Sequence, residues 1–174
     1  EYMIANAKSD EERLYYLGYS LESMRGSFYR QTMFSEFEHA IHKAVEAGEP
    51  ISGERMNDIY GDLLKRYHGH DEGVLLMDDT YAAEWAYIPH FYYDFYVYQY
   101  STSIAGAAWF AERLLAGDAQ VQQAFIEMLQ AGGSDYPYEL LRTAGLDMAS
   151  PEPYRAAVRR MDSVMDRIES ILAN

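Results

Sequence analysis

Apolar residues recur along this chain at spacings of three and four, and nowhere do they alternate with polar ones over any length. That pattern predicts helices and no sheet. Leu14, Leu17, Leu21 and Met24 share one face of a helical stretch predicted over 10–47, either one long helix or two end to end. Asp10, Glu11 and Glu12 place negative charge in its first turn, where the helix dipole favours it, and Gly48 and Pro50 end it. Gly18 and Gly26 are expected to mark close packing or slight bends. A second helix is predicted over 52–67, with Ser52 as N-cap and an apolar stripe of Met56, Ile59, Tyr60, Leu63 and Leu64. Residues 68–79 read as a polar loop, and 80–88 as a short helix interrupted by Pro89.

The run from Phe91 to Ala116 is long, apolar and free of proline. With Ser101, Ser103, Ala105, Gly106, Ala107 and Ala108 in its middle, it predicts one buried helix packed closely against its neighbours. Helices follow over 119–131 and 138–144, separated by the loop Gly132-Gly133-Ser134-Asp135-Tyr136-Pro137. The last helix is predicted to start with Ser150 as N-cap and Pro151 at the first helical position. Its inner face is expected to comprise Val158, Met161, Val164, Met165, Ile168 and Leu172. The predicted fold class is all-α, a single helical segment over 1–174.

Composition narrows the functions. The chain has 174 residues, 49% of them hydrophobic, enough for a core. It has no cysteine, which excludes disulfides, thiolate metal sites and cysteine nucleophiles and fits a cytoplasmic setting. A formal net charge of −14 with no basic cluster opposes nucleic-acid binding through long-range repulsion. The charge serves either solubility or the attraction of cationic peptides. No apolar run approaches the ~20 residues that a membrane helix needs. The opening Glu1-Tyr2-Met3-Ile4-Ala5 does not resemble a signal peptide and predicts a chain that begins inside an element. Tyrosine outnumbers phenylalanine 17 to 7. So many phenols point either to polar seams between helices or to a wet, aromatic-lined groove.

Three constellations could carry chemistry. His68-Gly69-His70-Asp71, with Asp78 and Asp79 nearby, could reach one cation or be an exposed polar loop; a zinc site needs three or four committed ligands. Glu38-His39-Ala40-Ile41-His42 resembles the zinc motif His-Glu-x-x-His but has its acid on the wrong side and its histidines three apart, so a solvated helical face is expected. The stretch Ile88 to Tyr100 is the richest. On a helical wheel at ~100° per residue, His90, Tyr93, Tyr96 and Tyr100 share one face. Phe91, Tyr92, Phe95 and Tyr98 point elsewhere and can supply packing. Such a face could aim uncharged hydrogen-bond donors at a developing oxyanion, or it could be a buried aromatic helix whose hydroxyls cap backbone.

Four stretches taken in order resemble the C-terminal part of oligoendopeptidase F, in the thimet-oligopeptidase-like group of zinc peptidases. They are Arg25 through Phe34 with Glu36-Phe37-Glu38, Ile88 through Tyr100, Gly132 through Pro137, and Gly145-Leu146-Asp147-Met148 with Ser150-Pro151. The resemblance implies the C-terminal part of a helical zinc peptidase shell whose enzymes cut short peptides in a deep channel. Their zinc ligands and general base lie upstream of the matched part, so the resemblance places zinc in the parent enzyme and no metal ligand in this chain. The group's histidine and tyrosines that grip substrate and stabilise the tetrahedral intermediate correspond to His90, Tyr93 and Tyr100, with Tyr96 added by the wheel. His90 stands three residues before Tyr93, closer than in thimet oligopeptidase. The implied partners are short peptides and the N-terminal remainder of the same enzyme, with self-association possible through apolar faces left uncovered. By itself the chain is expected to be inactive. Two rival functions remain: a helical module that binds peptides in the same groove without cutting them, and a small metal-binding protein using His68 and His70.

Overall fold

The computed structural model describes residues 1–173, and among them there are helices and no strands. In chain order they are α1 (Tyr2–Ala5), α2 (Asp10–Met24), α3 (Arg30–Glu46), α4 (Gly53–Tyr67), α5 (Tyr98–Leu115), α6 (Ala119–Ala131), α7 (Pro137–Thr143) and α8 (Glu152–Leu172). A π-helical turn, Arg25–Tyr29, joins α2 to α3, so the helical run predicted over 10–47 is two α-helices with one wider turn between them. Two 3₁₀ segments, Asp79–Tyr87 and Pro89–Tyr92, lie between α4 and α5. None of these helices is long and apolar enough to cross a membrane.

Local chemistry accounts for most of the boundaries. Ser9 caps α2 by accepting from the Glu12 amide, and Ser52 caps α4 by accepting from the Arg55 amide. Asp118 caps α6 through the amides of Gln120 and Val121. Gly48 and Gly117 follow helix ends with positive φ, which glycine adopts without steric cost. The α8 helix starts one residue later than expected, and the Ser150 hydroxyl lies 3.4 Å from the Glu152 amide.

The chain forms two compact units. The first comprises 1–28 and 102–174. One of its clusters joins Ile4, Leu17 and Val164, with Tyr16, Leu21, Ile168 and Ile171 around them. The other is built on Trp109, Phe110, Ala144, Leu146 and Ala156. Gly106 lets α5 approach this cluster: a Cβ there would stand 3.2 Å from Leu146 Cδ2. The helix is amphipathic rather than buried all round, since Ser103 and Ala107 are exposed. Gly18 and Gly26, by contrast, face open space and mark no close packing. A cavity of about 610 Å³ opens among Met3, Ile4, Tyr15, Tyr19, Ile104 and Ala108.

The expected inner face of α8 is half wrong. Val164 is fully buried and Met161 and Ile168 are half-buried, but Val158, Met165 and Leu172 are exposed. Pro153, Ala156 and Ala157 take the buried positions instead. Val158, Met165 and Leu172 are seven apart and form a stripe of their own, and spacing alone does not choose between two stripes.

The second unit, 29–101, has one core: Met33, Phe34 and Phe37 of α3, Tyr60, Leu63 and Leu64 of α4, and Val97. Polar side chains lock its margin. The Tyr60 hydroxyl donates to Glu84 at 2.6 Å, Arg30 pairs with the same carboxylate, and Trp85 Nε1 donates to Asn57 at 2.7 Å.

Truncating neighbours on α8 separates its two faces. Val164→Ala should lower unfolding free energy by about 2 kcal/mol through lost burial and an unfilled cavity. Met165→Ala should change it by no more than about 0.5 kcal/mol. Urea denaturation of the two variants measures the difference.

Candidate functional site: an aromatic face ahead of α5

The Ile88–Tyr100 stretch is not one helix. Pro89 bars Ile88 from helical geometry, and Ile88 sits at φ −97, ψ 95. A 3₁₀ turn follows, and then Asp94 and Phe95 adopt positive φ of 46° and 57°. Neither is glycine, so the pair carries steric strain of roughly 1–2 kcal/mol per residue. The α5 helix begins only at Tyr98. The continuous helix expected from Phe91 to Ala116 is thereby corrected.

Three anchors seat this irregular segment on the second unit. Phe91 meets Phe34 and Phe37 edge-on, at 5.5 and 5.2 Å between ring centroids. Val97 is fully buried in the core. Between these two, the Phe95 amide donates to Glu38 Oε1 at 2.8 Å. Of the residues expected to supply packing, Phe91 alone reaches the core. Tyr92 and Tyr98 are exposed, and the Phe95 ring lies 4.5 Å from the His42 ring.

With the segment seated in this way, four rings gather on its outer side. His90 stands 6.2 Å from Tyr93, 5.8 Å from Tyr96 and 6.0 Å from Tyr100, centroid to centroid. Tyr96 lies 6.0 Å from Tyr93 and 5.5 Å from Tyr100. The His90 and Tyr96 planes are stacked, and the other pairs meet edge to face, the arrangements that ring quadrupoles favour. Tyr93 is 60% exposed and Tyr96 38% exposed, so the face opens to solvent. A hydrogen bond with Tyr96 raises the pKa of the Tyr100 phenol, with desolvation adding to it. Tyr100 therefore keeps its proton at neutral pH and can serve as a donor.

Glu38 is the residue that sequence reasoning misread. It is not on a solvated face: it is 1% exposed, and among the described residues it is the one buried carboxyl. Oε1 takes the Phe95 amide, while Oε2 is sealed with no partner. Burial drives its pKa up from the ordinary 4.5; the Phe95 hydrogen bond and nearby His42 oppose this, and Asp94 adds to it. A signal was present, since Phe34, Glu38 and Ile41 fall on one helical stripe.

In the histidine-rich loop both imidazoles bond the backbone through Nδ1. His68 Nδ1 bonds the Leu64 carbonyl at 2.8 Å, and His70 Nδ1 accepts from the Met77 amide at 2.9 Å. No three His, Cys, Asp or Glu side chains among the described residues are grouped to hold an ion.

The described residues thus combine an all-helical fold with a tyrosine-and-histidine face. The profile of Peptidase family M3 matches residues 1–160, and the chain belongs to that family. Oligopeptidase PepF of Bacillus subtilis is 41% identical over 172 residues, which is 99% of this chain and 25% of that protein. Group B oligopeptidase PepB of Streptococcus agalactiae is 38% identical, over 99% of this chain and 28% of that protein. The crystal structure of oligoendopeptidase-F from Enterococcus faecium superposes with a TM-score of 0.92 at 34% identity, over 99% of this chain and 32% of that one. The chain thus spans between a quarter and a third of the length of these relatives.

The buried carboxyl sets a pH dependence. With its folded pKa raised, the native state binds more protons than the unfolded chain between the ordinary glutamate range and the folded value. Stability from this group therefore falls as pH rises through that window. Glu38→Gln keeps an acceptor oxygen without the charge, so its stability relative to the native chain should improve between about pH 5 and about pH 8. Denaturation curves of both proteins at the two pH values test the sign.

Proposed function

We propose that this chain is the C-terminal part of a zinc-dependent oligoendopeptidase. In that enzyme it would hold short peptides and stabilise the oxyanion formed when the scissile carbonyl is attacked. The observation that carries this reading is the meeting of one imidazole and three phenols on a single outward face. Membership of Peptidase family M3 supports it.

The chemistry follows from what these groups are. Attack on a peptide carbonyl builds negative charge on its oxygen, and donors already aimed at that position lower the barrier because they need not reorganise. Phenols donate without bringing a fixed charge. Tyr100, its proton retained, and Tyr93 are the proposed donors to the oxyanion. His90 holds the substrate backbone, and Tyr96, hydrogen-bonded to Tyr100, orients it. The zinc that the resemblance implies would supply Lewis-acid polarisation. Its ligands would lie outside this chain, because among the described residues no three His, Cys, Asp or Glu side chains are grouped to hold an ion.

The partners proposed are short peptide substrates and the remainder of the same enzyme. Apolar groups such as Tyr15, Tyr19, Leu115 and Leu172 stand exposed and would be covered by that remainder or, in its absence, by a second copy.

Tyr100→Phe in the full-length protein should lower kcat by roughly 10²–10³-fold, the effect of losing one oxyanion donor. Unchanged turnover would remove Tyr100 from the mechanism. The 174-residue chain alone is expected to show no hydrolysis of a short peptide and to self-associate in sedimentation. Cleavage, or a stable monomer, would contradict the corresponding part of the reading.

A further inference from the structure

The proposed donors sit on a segment that is neither a regular helix nor cross-linked, yet their usefulness depends on fixed positions. Tyr93 precedes the left-handed pair Asp94–Phe95, and Tyr96 follows it. The φ angles of that pair therefore decide where these two phenols stand relative to each other and to His90 and Tyr100. A bulky residue such as Phe95 does not hold a positive φ unaided. Between the anchors Phe91 and Val97 the segment makes a polar contact to α3: the Phe95 amide donates to Glu38 Oε1, at 2.8 Å.

Glu38 is suited to that task. It lies on α3 next to Phe37, whose ring meets Phe91 at 5.2 Å, so adjacent α3 residues seat both the start and the middle of the segment. At 1% exposure the carboxyl is shielded from water, which would otherwise compete for the amide. Among the described residues its second oxygen is enclosed without a hydrogen-bond partner. A buried acid so placed costs folding energy, and the contact it makes is to the aromatic segment.

We propose that Glu38 is a positioning residue for the aromatic face: by accepting the Phe95 amide proton it holds the left-handed Asp94–Phe95 turn and so fixes Tyr93 and Tyr96 beside His90 and Tyr100. The consequence for turnover rests on the oligoendopeptidase reading; the hold on the turn does not.

The test uses the full-length peptidase with Glu38→Leu, which keeps bulk and loses the acceptor, and Glu38→Gln, which keeps both. Two quantities are measured: hydrogen exchange at the Phe95 amide, and kcat and KM on a short peptide. In the Leu variant, Phe95 protection should fall about tenfold or more, as for loss of a hydrogen bond to a buried acceptor. Its kcat should fall by a similar factor while KM stays within about threefold, because what is lost acts in the transition state. The Gln variant should keep both quantities close to native.

Unchanged Phe95 exchange in the Leu variant would overturn the inference. Lost protection with native kcat would uphold the hold on the turn and sink the catalytic role of the tyrosines. If the Leu variant does not fold, the Gln variant decides. Native exchange and turnover would support the acceptor role. Loss of turnover with Phe95 still protected would overturn it, because the face would then need the acid itself rather than its oxygen.

Discussion

Two consecutive non-glycine residues in left-handed conformation, Asp94 and Phe95, have to be reconciled with a chain that continues directly into an α-helix. The hydrogen bond from the Phe95 amide to Glu38 is what reconciles them. Phe91 and Val97 fix the ends of the segment by burial, which is strong but non-directional. The amide bond supplies the direction. Without it the turn could relax to ordinary φ values, and the four rings would have no reason to meet.

Polar seams account for part of the abundance of tyrosine. Tyr60 donates to Glu84, Tyr67 to Glu36, Tyr138 to Asp147 and Tyr154 to the Met148 carbonyl. These rings add apolar area while their hydroxyls close polar seams, and burial beside Glu36 raises the Tyr67 phenol to about 12. Tyr93 and Tyr96 are different: they remain open to solvent. Tyr100 is bound to Tyr96. The distinction between a seam and a face is thus one of where the hydroxyl goes, which composition cannot express.

The helical class and most helix ends were legible in the sequence because they rest on local chemistry. Ser52, Asp10 to Glu12 and Gly48 act within one turn of where they stand. The aromatic face was found by a wrong geometry. A wheel at ~100° per residue grouped His90, Tyr93, Tyr96 and Tyr100, but a 3₁₀ turn and a left-handed pair bring them together. Aspartate tolerates that conformation and gave a faint hint; Phe95 gave none. On α8 the periodicity of Val158, Met165 and Leu172 was real, yet it belonged to the exposed side. Glu38 was misjudged because glutamates are rarely buried, and its reason for burial lies far along the chain.

That distance has a consequence for timing. The donor and acceptor of the Phe95–Glu38 bond are 57 residues apart. Closing so long a loop costs entropy before any contact rewards it. A contact of that span is expected to form after the local turns of α3 and α4 have closed, so the aromatic face depends on a step that local propensity cannot supply.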